Sequence, residues 1–308
     1  MQDLVRVINM TNPFVSVIIP TFNHAKLLKR ALESVIAQSF QEWEAIVVNN
    51  FSADETIQVV QSFDDERIKL INFKNSGIIA ASRNRGIESA TGQYIAFLDS
   101  DDAWYPTKLQ KCIDQATNGA QFVCHGEVWI NSNLSKREVM YGPADNATYA
   151  KLLYRGNCIS TSATFIQTEL LRTLGGFDES VEIITAEDYD MWMRLAALKP
   201  KTIFIPEILG EFHRLADSAS STVMRSLASE IVVLTKHFAL RHGKLLTKFR
   251  NRHRLAIAHY GAARQLSTQP KQAFVLFGQA LRLSPLVLKI YPGVFLLCFY
   301  RLTKVKKP

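Results

Sequence analysis

The sequence predicts an α/β fold, in which a parallel sheet carries helices on both faces, followed by a helical C-terminal extension. Short runs rich in β-branched residues alternate with amphipathic helical stretches over residues 15–98, as expected of a parallel sheet. From about residue 222 onward the apolar spacing is almost wholly helical. Ligands of such sheets bind at the carboxyl ends of the strands, so the residues just past each strand are the first site candidates.

The elements follow in a regular order along the chain. Apolar side chains recur at i, i+4 intervals between the strand-like runs, as Leu28 and Leu32 do. Ser52 and Glu55 have the spacing of a capping box, and we expect Ser52 to cap the second helix. The expected strands are 15–19, 43–48, 68–73, 94–98, 122–130, 138–141 and 202–214. The expected helices are 25–38, 53–62, 77–90, 106–116 and 187–198.

The net charge of +8 conceals two parts of opposite character. Residues 224–308 contain sixteen Lys and Arg and a single acid, Glu230, for a net charge of +15, whereas residues 1–223 carry −7. We therefore predict two domains, 1–223 and 224–308. The acidic part favours carboxylate chemistry, and the basic, partly apolar part favours an anionic partner such as phospholipid or nucleic acid.

The cysteines and the N-terminus indicate a cytoplasmic protein. No C-x-x-C pair and no zinc-type spacing connects Cys112, Cys124, Cys158 and Cys298, so we expect reduced thiols. The first residues, MQDLVRVINMTNPF, lack a long apolar segment, and we expect no signal peptide.

Three carboxylates, Asp99, Asp101 and Asp102, follow the fourth predicted strand within four positions. Like charges so close together repel each other, and a hard divalent cation relieves the repulsion because it prefers oxygen ligands. If the strand continues, Asp99 and Asp101 point the same way and form a D-x-D metal site. The alternative is a solvated loop with an aspartate helix cap. A calcium loop does not fit, since Ala103 and Trp104 stand where it needs a ligand and a glycine.

Two further segments carry candidate chemistry. Near the start of the helix 77–90, Gly77 and the small residues Ala80, Ala81 and Ser82 allow a ligand to approach the backbone, and Arg83 or Arg85 could reach a phosphate. The alternative is tight packing with surface arginines. Glu187, Asp188 and Asp190 crowd a helix start, either because acids favour that position or because one of them is a general base.

The order of these motifs resembles a family 2 glycosyltransferase of the GT-A fold over roughly residues 14–221. The resemblance rests on seven motifs, VSVIIPTFN (15–23), VVNNFSAD (47–54), Gly77 with ASRNRGI (81–87), FLDSDD (97–102), GGFDE (175–179), EDYDMW (187–192) and EFHR (211–214) with DSAS (217–220). It implies a Rossmann-like mixed sheet flanked by helices. It also implies inverting transfer of a sugar from a nucleotide-diphospho-sugar to a hydroxyl acceptor, with Mn²⁺ or Mg²⁺ as cofactor.

The resemblance also assigns residue roles. It implies that Asp101 is the principal metal ligand, that Asp99 contacts metal or ribose, and that His213 completes the metal site or is a plain surface or core histidine. Asp188 would be the catalytic base, and Glu187 would support it or bind the acceptor. The nucleotide-sugar would contact Pro20, Thr21, Asn23, Asn50, Ala80, Arg83, Asp99 and Ser100.

One motif departs from the family pattern. Asn49-Asn50-Phe51-Ser52 stands where the family commonly has Asp-Asp-Gly-Ser, and an amide both donates and accepts hydrogen bonds. The identity of the base therefore stays open. So does the alternative of a non-catalytic nucleotide-sugar binding protein, although the intact Asp99, Asp101 and Asp188 argue against it. A nucleotidyltransferase is disfavoured by the motif at 187–192.

The basic C-terminal part suggests contact with an anionic membrane surface. Residues 286–302 are strongly apolar but are interrupted by Lys289, Pro292 and Gly293, and the stretch 237–254 is basic and partly amphipathic. Core packing with a solvated basic face is the main alternative, and nucleic-acid binding is disfavoured because no module for it is present. Membrane contact predicts a peripheral protein on the inner face of the cell membrane. Its acceptor would be a saccharide or lipid-linked saccharide of surface polysaccharide or glycolipid synthesis.

Overall fold

A computed structural model of the chain describes residues 13–214, 223–241, 245–266 and 269–293. They form two compact units. The first comprises the described residues up to 149 together with 158–179 and 190–214, and the second comprises 150–157, 180–189 and the described residues from 223 onward. The N-terminal residues 1–12, the DSAS motif, Cys298 and the end of the apolar tail lie outside the described residues. The boundary near residue 223 stays a prediction.

The strands lie in the first unit, and the helices are divided between the two units. The strands are β1 Val15–Thr21, β2 Trp43–Asn49, β3 Ile68–Asn72, β4 Tyr94–Phe97, β5 Ala103–Trp104, β6 Phe122–Asn131, β7 Lys136–Val139, β8 Thr164–Gln167 and β9 Thr202–Arg214. The helices are α1 Ala25–Ile36, α2 Thr56–Gln61, α3 Ile79–Ser89, α4 Lys108–Thr117, α5 Tyr149–Arg155, α6 Thr168–Thr173, α7 Glu187–Ala197, α8 Val223–Ala239, α9 Leu245–Gln265 and α10 Pro270–Leu283. Short 3₁₀ turns lie at Ala144–Ala147, Thr161–Ala163 and Val181–Ile183.

The sheet is mixed, which confirms the predicted fold class. Its order is β3-β2-β1-β4-β8-β6-β9-β5, and β7 pairs with β6 at the side. β1 to β4 run parallel, β8 is antiparallel to both β4 and β6, and β6 and β9 are parallel. The carboxyl ends of β1, β2, β3 and β4 therefore meet at one edge of the sheet, where the candidate site residues lie.

Burial of apolar side chains explains why these segments form the sheet. Every residue of β1 and β2 is buried, as expected of central strands with both faces covered. Helix α1 buries Leu28, Leu32 and Val35 in the same core, and each contributes roughly 1.5–3 kcal/mol. Gly86 lets α3 lie close to β1, because a Cβ there would collide with the side chain of Ile18.

Two sequence predictions about the site loops are wrong. Ser52 does not cap α2, which begins at Thr56 without a side-chain cap, because the Ser52 hydroxyl donates to Oδ1 of Asn49 at 2.6 Å. The fourth strand does not continue through the acid cluster. It ends at Phe97, and the N–H of Asp102 donates to the carbonyl of Asp99 at 3.0 Å. The acids therefore lie in a turn, where the alternation of side chains along a strand does not apply.

The described part of the second unit is mainly helical. Helices α9 and α10 pack against each other through buried small residues such as Ala262 and Ala280, with the rings of Tyr260 and Phe277 6.0 Å apart. Helix α8 is fixed through Ser229, whose hydroxyl donates to the carbonyl of Ile184 at 2.7 Å. The predicted helical C-terminal extension is therefore present within the described residues.

Candidate active site

Arg83 and Asp99 form an ion pair at the carboxyl end of β4. The guanidinium of Arg83 donates to Oδ1 of Asp99 at 2.8 Å, and the arginine side chain is buried while the carboxylate is partly exposed. Arg83 also lies over the ring of Phe177, with its Cζ 5.5 Å from the ring centroid. Arg85, the other arginine considered, instead pairs with Glu88 on the surface at 3.1 Å. Of the two arginines, Arg83 is the one that lies beside the acid cluster.

The surroundings of Asp101 disfavour the charged form of its carboxyl group. Burial and the adjacent charge of Asp99 raise its pKa to about 6, although Arg30 and Arg83 act in the opposite direction. Arg30 also holds the turn by donating to the backbone carbonyl of Asp101. A divalent cation beside the two carboxylates would favour their ionised forms, so these residues fit a hard metal ion.

Asp102, the third acid of the cluster, is buried and accepts hydrogen bonds from two other parts of the chain. Its Oδ2 accepts a hydrogen bond from the Ser162 hydroxyl at 2.5 Å, and its Oδ1 accepts from the backbone N–H of His213 at 2.8 Å. The Ser162 hydroxyl in turn accepts from the N–H of Asp99 at 3.1 Å, and the Ser162 carbonyl accepts from Trp104 Nε1 at 2.8 Å. Asp102 therefore fixes the turn 99–102 against two other parts of the sheet.

His213, the predicted third metal ligand, has both ring nitrogens hydrogen-bonded. Arg30 donates to its Nδ1 at 3.4 Å, so Nε2 carries the proton and donates to Glu211 at 3.1 Å. Burial lowers the pKa of His213 despite the opposing effect of Glu211, which favours the neutral ring. Within residues 13–214 and the other described ranges, no three His, Cys, Asp or Glu side chains are grouped to hold a metal ion. A ligand set of Asp99, Asp101 and His213 stays a prediction.

The polar residues after β1, β2 and β3 lie in loops that are bonded to one another. Asn23 has a positive φ of 52°, its N–H donates to Ser52 Oγ at 2.9 Å, and its Oδ1 accepts from the N–H of Ala53 at 2.8 Å. Asn50 Oδ1 accepts from the N–H of Asn75 at 3.0 Å. Pro20 and Thr21, the other predicted nucleoside contacts, are buried at the end of β1. The structure thus brings the predicted nucleoside residues to one edge.

The start of α3 and the turn after β4 contain the remaining predicted contacts. Ala80 and Ser82 are buried, and the Ser82 hydroxyl accepts from Asn75 Nδ2 at 2.8 Å. Ser100 is also buried, and its hydroxyl oxygen lies 3.0 Å from Nδ1 of His24. Since Asn75 bonds both Asn50 and Ser82, it connects the nucleoside edge to α3.

Sequence reasoning missed the residues that hold these groups in place. Asn84 on α3 accepts from the N–H of Phe177 at 2.7 Å and donates to its carbonyl at 2.9 Å, which fixes the loop 175–179. Ser162 and Arg30 likewise hold the turn 99–102, here called the acid turn, through hydrogen bonds. The only sequence signal for Asn84 is its place within the ASRNRGI motif, and Ser162 belongs to none of the motifs.

Glu187 and Asp188 belong to the second unit, at the start of α7. Oε2 of Glu187 accepts from the N–H of Thr185 at 2.8 Å, and Thr185 has a positive φ of 86°, which is rare for a β-branched residue. Asn157 Nδ2 donates to Oδ2 of Asp188 at 3.3 Å. Asp190, which belongs to the first unit, is buried in an ion pair with Arg194 at 2.7 Å. Of these three acids, Asp190 is therefore the one held in a buried ion pair.

Comparison with known proteins assigns the family. Residues 16–173 match the sequence profile described as "Glycosyl transferase family 2". The chain belongs to this family. A putative teichuronic acid biosynthesis glycosyltransferase, TuaG of Bacillus subtilis, is 30% identical over 69% of this chain and 84% of its own length. A putative colanic acid biosynthesis glycosyl transferase, WcaA of Escherichia coli, is 33% identical over 60% of this chain and 66% of its own length.

Solved structures agree with the fold of this family 2 glycosyltransferase. TarS from S. aureus, in complex with UDP-GlcNAc, superposes with a TM-score of 0.65 over 87% of this chain and 81% of that chain, at 20% identity. The mannosyltransferase PcManGT from Pyrobaculum calidifontis, in complex with GDP-Man and Mn²⁺, superposes with a TM-score of 0.60 over 96% of this chain and 82% of that chain, at 21% identity. At these identities the likeness shows the fold.

Proposed function

We propose that this glycosyltransferase transfers a sugar, with inversion, from a nucleotide-diphospho-sugar to a hydroxyl acceptor and depends on Mn²⁺ or Mg²⁺. The observation that carries the proposal is the turn 99–102. There, two carboxylates adjoin the buried guanidinium of Arg83, and burial together with Asp99 raises the pKa of Asp101 to about 6. The complexes of related folds with UDP-GlcNAc and with GDP-Man and Mn²⁺ support it.

Each group has a defined task in the proposed reaction. Asp99 and Asp101 would hold the divalent cation, which supplies positive charge against the diphosphate as it leaves. Asp188 would accept the proton of the acceptor hydroxyl. The oxygen of that hydroxyl would bond to the anomeric carbon as the bond from this carbon to the diphosphate breaks. Glu187 would support the base or bind the acceptor. The product is then a glycoside of inverted configuration and a nucleoside diphosphate.

An Asp188→Asn variant tests whether the chain is a catalyst rather than a binding protein. We expect turnover to fall by about 100-fold or more, since a general base contributes 10²–10⁴-fold, while the affinity for the donor persists. Glu182→Gln, an exposed acid of the same unit, is the control and should keep wild-type turnover. Equal turnover in the wild type and Asp188→Asn would refute the assigned base. A wild-type chain that binds donors without transfer would favour the binding protein.

The acceptor we propose is a saccharide or lipid-linked saccharide of surface polysaccharide or glycolipid synthesis. TuaG and WcaA are named for teichuronic and colanic acid synthesis. WfgD of Escherichia coli, 32% identical over 60% of this chain, is named as a glucosyltransferase acting on a GlcNAc-diphosphoundecaprenol. Release of nucleoside diphosphate with lipid-linked but not with free saccharide acceptors would identify the lipid-linked class. Equal release with both would assign the lipid no role.

We also propose that the second unit contacts an anionic membrane from the cytoplasmic side. Among the described residues, no helix is both long enough and apolar enough to cross a bilayer. Helix α9 nevertheless begins with exposed apolar side chains, Leu245 at 83% exposure followed by Leu246 and Phe249. Lys248 and Arg250 lie among them, and residues 231–308 contain no acid. Apolar side chains flanked by cations suit the surface of an anionic bilayer.

Sedimentation with liposomes containing anionic lipid tests the membrane contact. The double variant Leu245→Ser, Leu246→Ser should sediment several-fold less than the wild type, and high salt should weaken the binding of both. Leu134→Ser provides the control, because Leu134 is 79% exposed but lies in the hairpin between β6 and β7. Equal sedimentation of the wild type and the double variant would contradict a contact at the start of α9.

A further inference from the structure

Arg254 of helix α9 is a buried cation with two partners in the second unit. Only 2% of the residue is exposed, and its Nη2 donates to Oε1 of Glu230 on α8 at 2.5 Å and to the hydroxyl of Tyr189 at 3.4 Å. Residues 224–308 contain sixteen Lys and Arg, and Glu230 is their only acid. The single carboxylate of this basic stretch is therefore paired with its buried arginine.

Tyr189 connects this ion pair to the start of α7. Its ring is buried, and its hydroxyl donates to the carbonyl of Leu152 on α5 at 2.5 Å while it accepts from Arg254. Tyr189 directly follows Asp188 along the chain. Because the two residues share a peptide bond, a displacement of the Tyr189 side chain would also displace the backbone of Asp188.

The segment after α5 holds Asp188 from its side-chain end. Asn157 Nδ2 donates to Oδ2 of Asp188 at 3.3 Å. Gly156, the neighbour of Asn157, has a positive φ of 105°, and a Cβ at this glycine would lie 3.6 Å from Nη2 of Arg254. The guanidinium of Arg254 thus lies beside both segments that hold Asp188.

Helix α8 fixes the beginning of the same segment. The hydroxyl of Ser229 donates to the carbonyl of Ile184 at 2.7 Å. The next residue, Thr185, has the positive φ of 86° that β-branched residues rarely adopt. Such a conformation persists only where the surrounding structure fixes it, and it is common at active sites. Helices α8 and α9 therefore hold the segment 184–189 at both of its ends.

The pair of Arg254 and Glu230 is better explained by geometry than by stability. A buried ion pair contributes little net stability compared with apolar side chains of the same volume, because both charges lose their hydration. Within the described part of the chain, the buried Nε of Arg254 also has no hydrogen-bond partner, which adds to the cost. What the pair provides is a fixed position for the groups that it contacts.

We propose that Arg254, paired with Glu230, is a positioning residue that holds Asp188 where it meets the acceptor hydroxyl. The proposal rests on the proposed function, because it requires Asp188 to be the base. The basic C-terminal helices then serve catalysis, besides the membrane contact proposed above.

Steady-state kinetics of the full chain, with UDP-sugars and GDP-sugars as donors, test the proposal. Arg254→Met should lower kcat about tenfold or more, because a base displaced by a fraction of an ångström accepts the proton poorly. The affinities for UDP and GDP should stay unchanged, since Arg254 is not among the predicted nucleotide contacts. Tyr189→Phe should also lower kcat, and the double variant should fall no further than Arg254→Met, because both changes remove the same connection.

Hydrogen exchange of backbone amides provides a readout that needs no substrate. Arg254→Met and Tyr189→Phe should accelerate exchange in residues 184–190 several-fold, because local opening of this segment then costs less free energy. Ser284→Ala is the matched control. Ser284 is buried and its hydroxyl lies 3.0 Å from Nδ1 of His253, so the variant removes a different contact of α9. It should keep wild-type exchange and wild-type kcat.

Wild-type kcat or wild-type exchange of residues 184–190 in Arg254→Met and Tyr189→Phe would overturn the proposal while leaving the proposed function intact. Tyr189→Phe decides alone if Arg254→Met fails to fold. An equal loss of kcat in Ser284→Ala would also overturn it, since any loosening of α9 would then suffice. A wild-type chain that transfers no sugar would overturn both the proposal and the proposed function.

Discussion

The hydroxyl of Ser162 donates a 2.5 Å hydrogen bond to the buried carboxylate of Asp102 and accepts the N–H of Asp99 at 3.1 Å. The other oxygen of Asp102 accepts the N–H of His213. A single buried serine thus joins the first and last residues of the acid turn, and Asp102 extends the connection to β9. The third carboxylate of the FLDSDD motif serves to position the other two.

Ser162→Ala should lower kcat further than a control variant that loses the same amount of stability. We expect kcat to fall about tenfold or more, because displacement of catalytic groups by a fraction of an ångström is costly. The matched control is Ser16→Ala. Ser16 is also buried, donates to a carboxylate, Glu44, at 2.6 Å, and accepts a backbone N–H from Gly92 at 2.9 Å. Both variants should lose about 1–3 kcal/mol of unfolding free energy, and only Ser162→Ala should lose kcat.

The two glycines of the GGFDE motif should differ in tolerance to alanine. Both have positive φ, so each substitution costs about 1–2 kcal/mol of unfolding free energy. A Cβ on Gly175 meets open space, whereas one on Gly176 collides with Oδ1 of Asn84, which is fixed by its bonds to Phe177. Gly176→Ala should therefore lose about 1–3 kcal/mol more than Gly175→Ala in urea unfolding. Equal losses would show that Asn84 moves freely.

Glu44 should make folding stability depend on pH. Burial opposes its ionisation, but hydrogen bonds from Lys69, Ser16 and Thr91 outweigh this and lower its pKa below the ordinary 4.5. Because the unfolded chain then binds the proton more tightly, the stabilisation is present above pH 4.5 and is lost as the pH falls through the folded value. The difference in unfolding free energy between the wild type and Glu44→Gln should be largest near pH 6–7 and should shrink toward pH 3. A pH-independent difference would contradict this.

The sequence predicted the sheet core well because its signals are local. β1, β2 and β4 are largely apolar runs, and the predicted bounds of each lie within two residues of the observed ones. β5 was missed because it has only two residues, and β8 was missed because only Phe165 and Ile166 of its four residues are apolar. The capping box failed for a different reason. Asn49, three residues away, competes for the Ser52 hydroxyl, and spacing alone does not reveal such a partner.

The chemical groups of the candidate site were more predictable than their supports. Asp99, Arg83 and Asn50 stand in motifs at strand ends or helix starts, so position along the chain indicated them. Ser162 lies sixty residues from Asp102, and only the pairing of β8 beside β4 brings its segment to the acid turn. Contacts between segments so distant in sequence leave no signal in either segment alone.

The dependence of sugar transfer on a divalent cation tests the central claim most directly. The account predicts no transfer after rigorous chelation, full recovery of the wild type on adding Mn²⁺, and no recovery of Asp99→Asn, Asp101→Asn at the same Mn²⁺ concentration. Transfer at the full rate in the presence of a chelator, or equal recovery of the double variant, would contradict it.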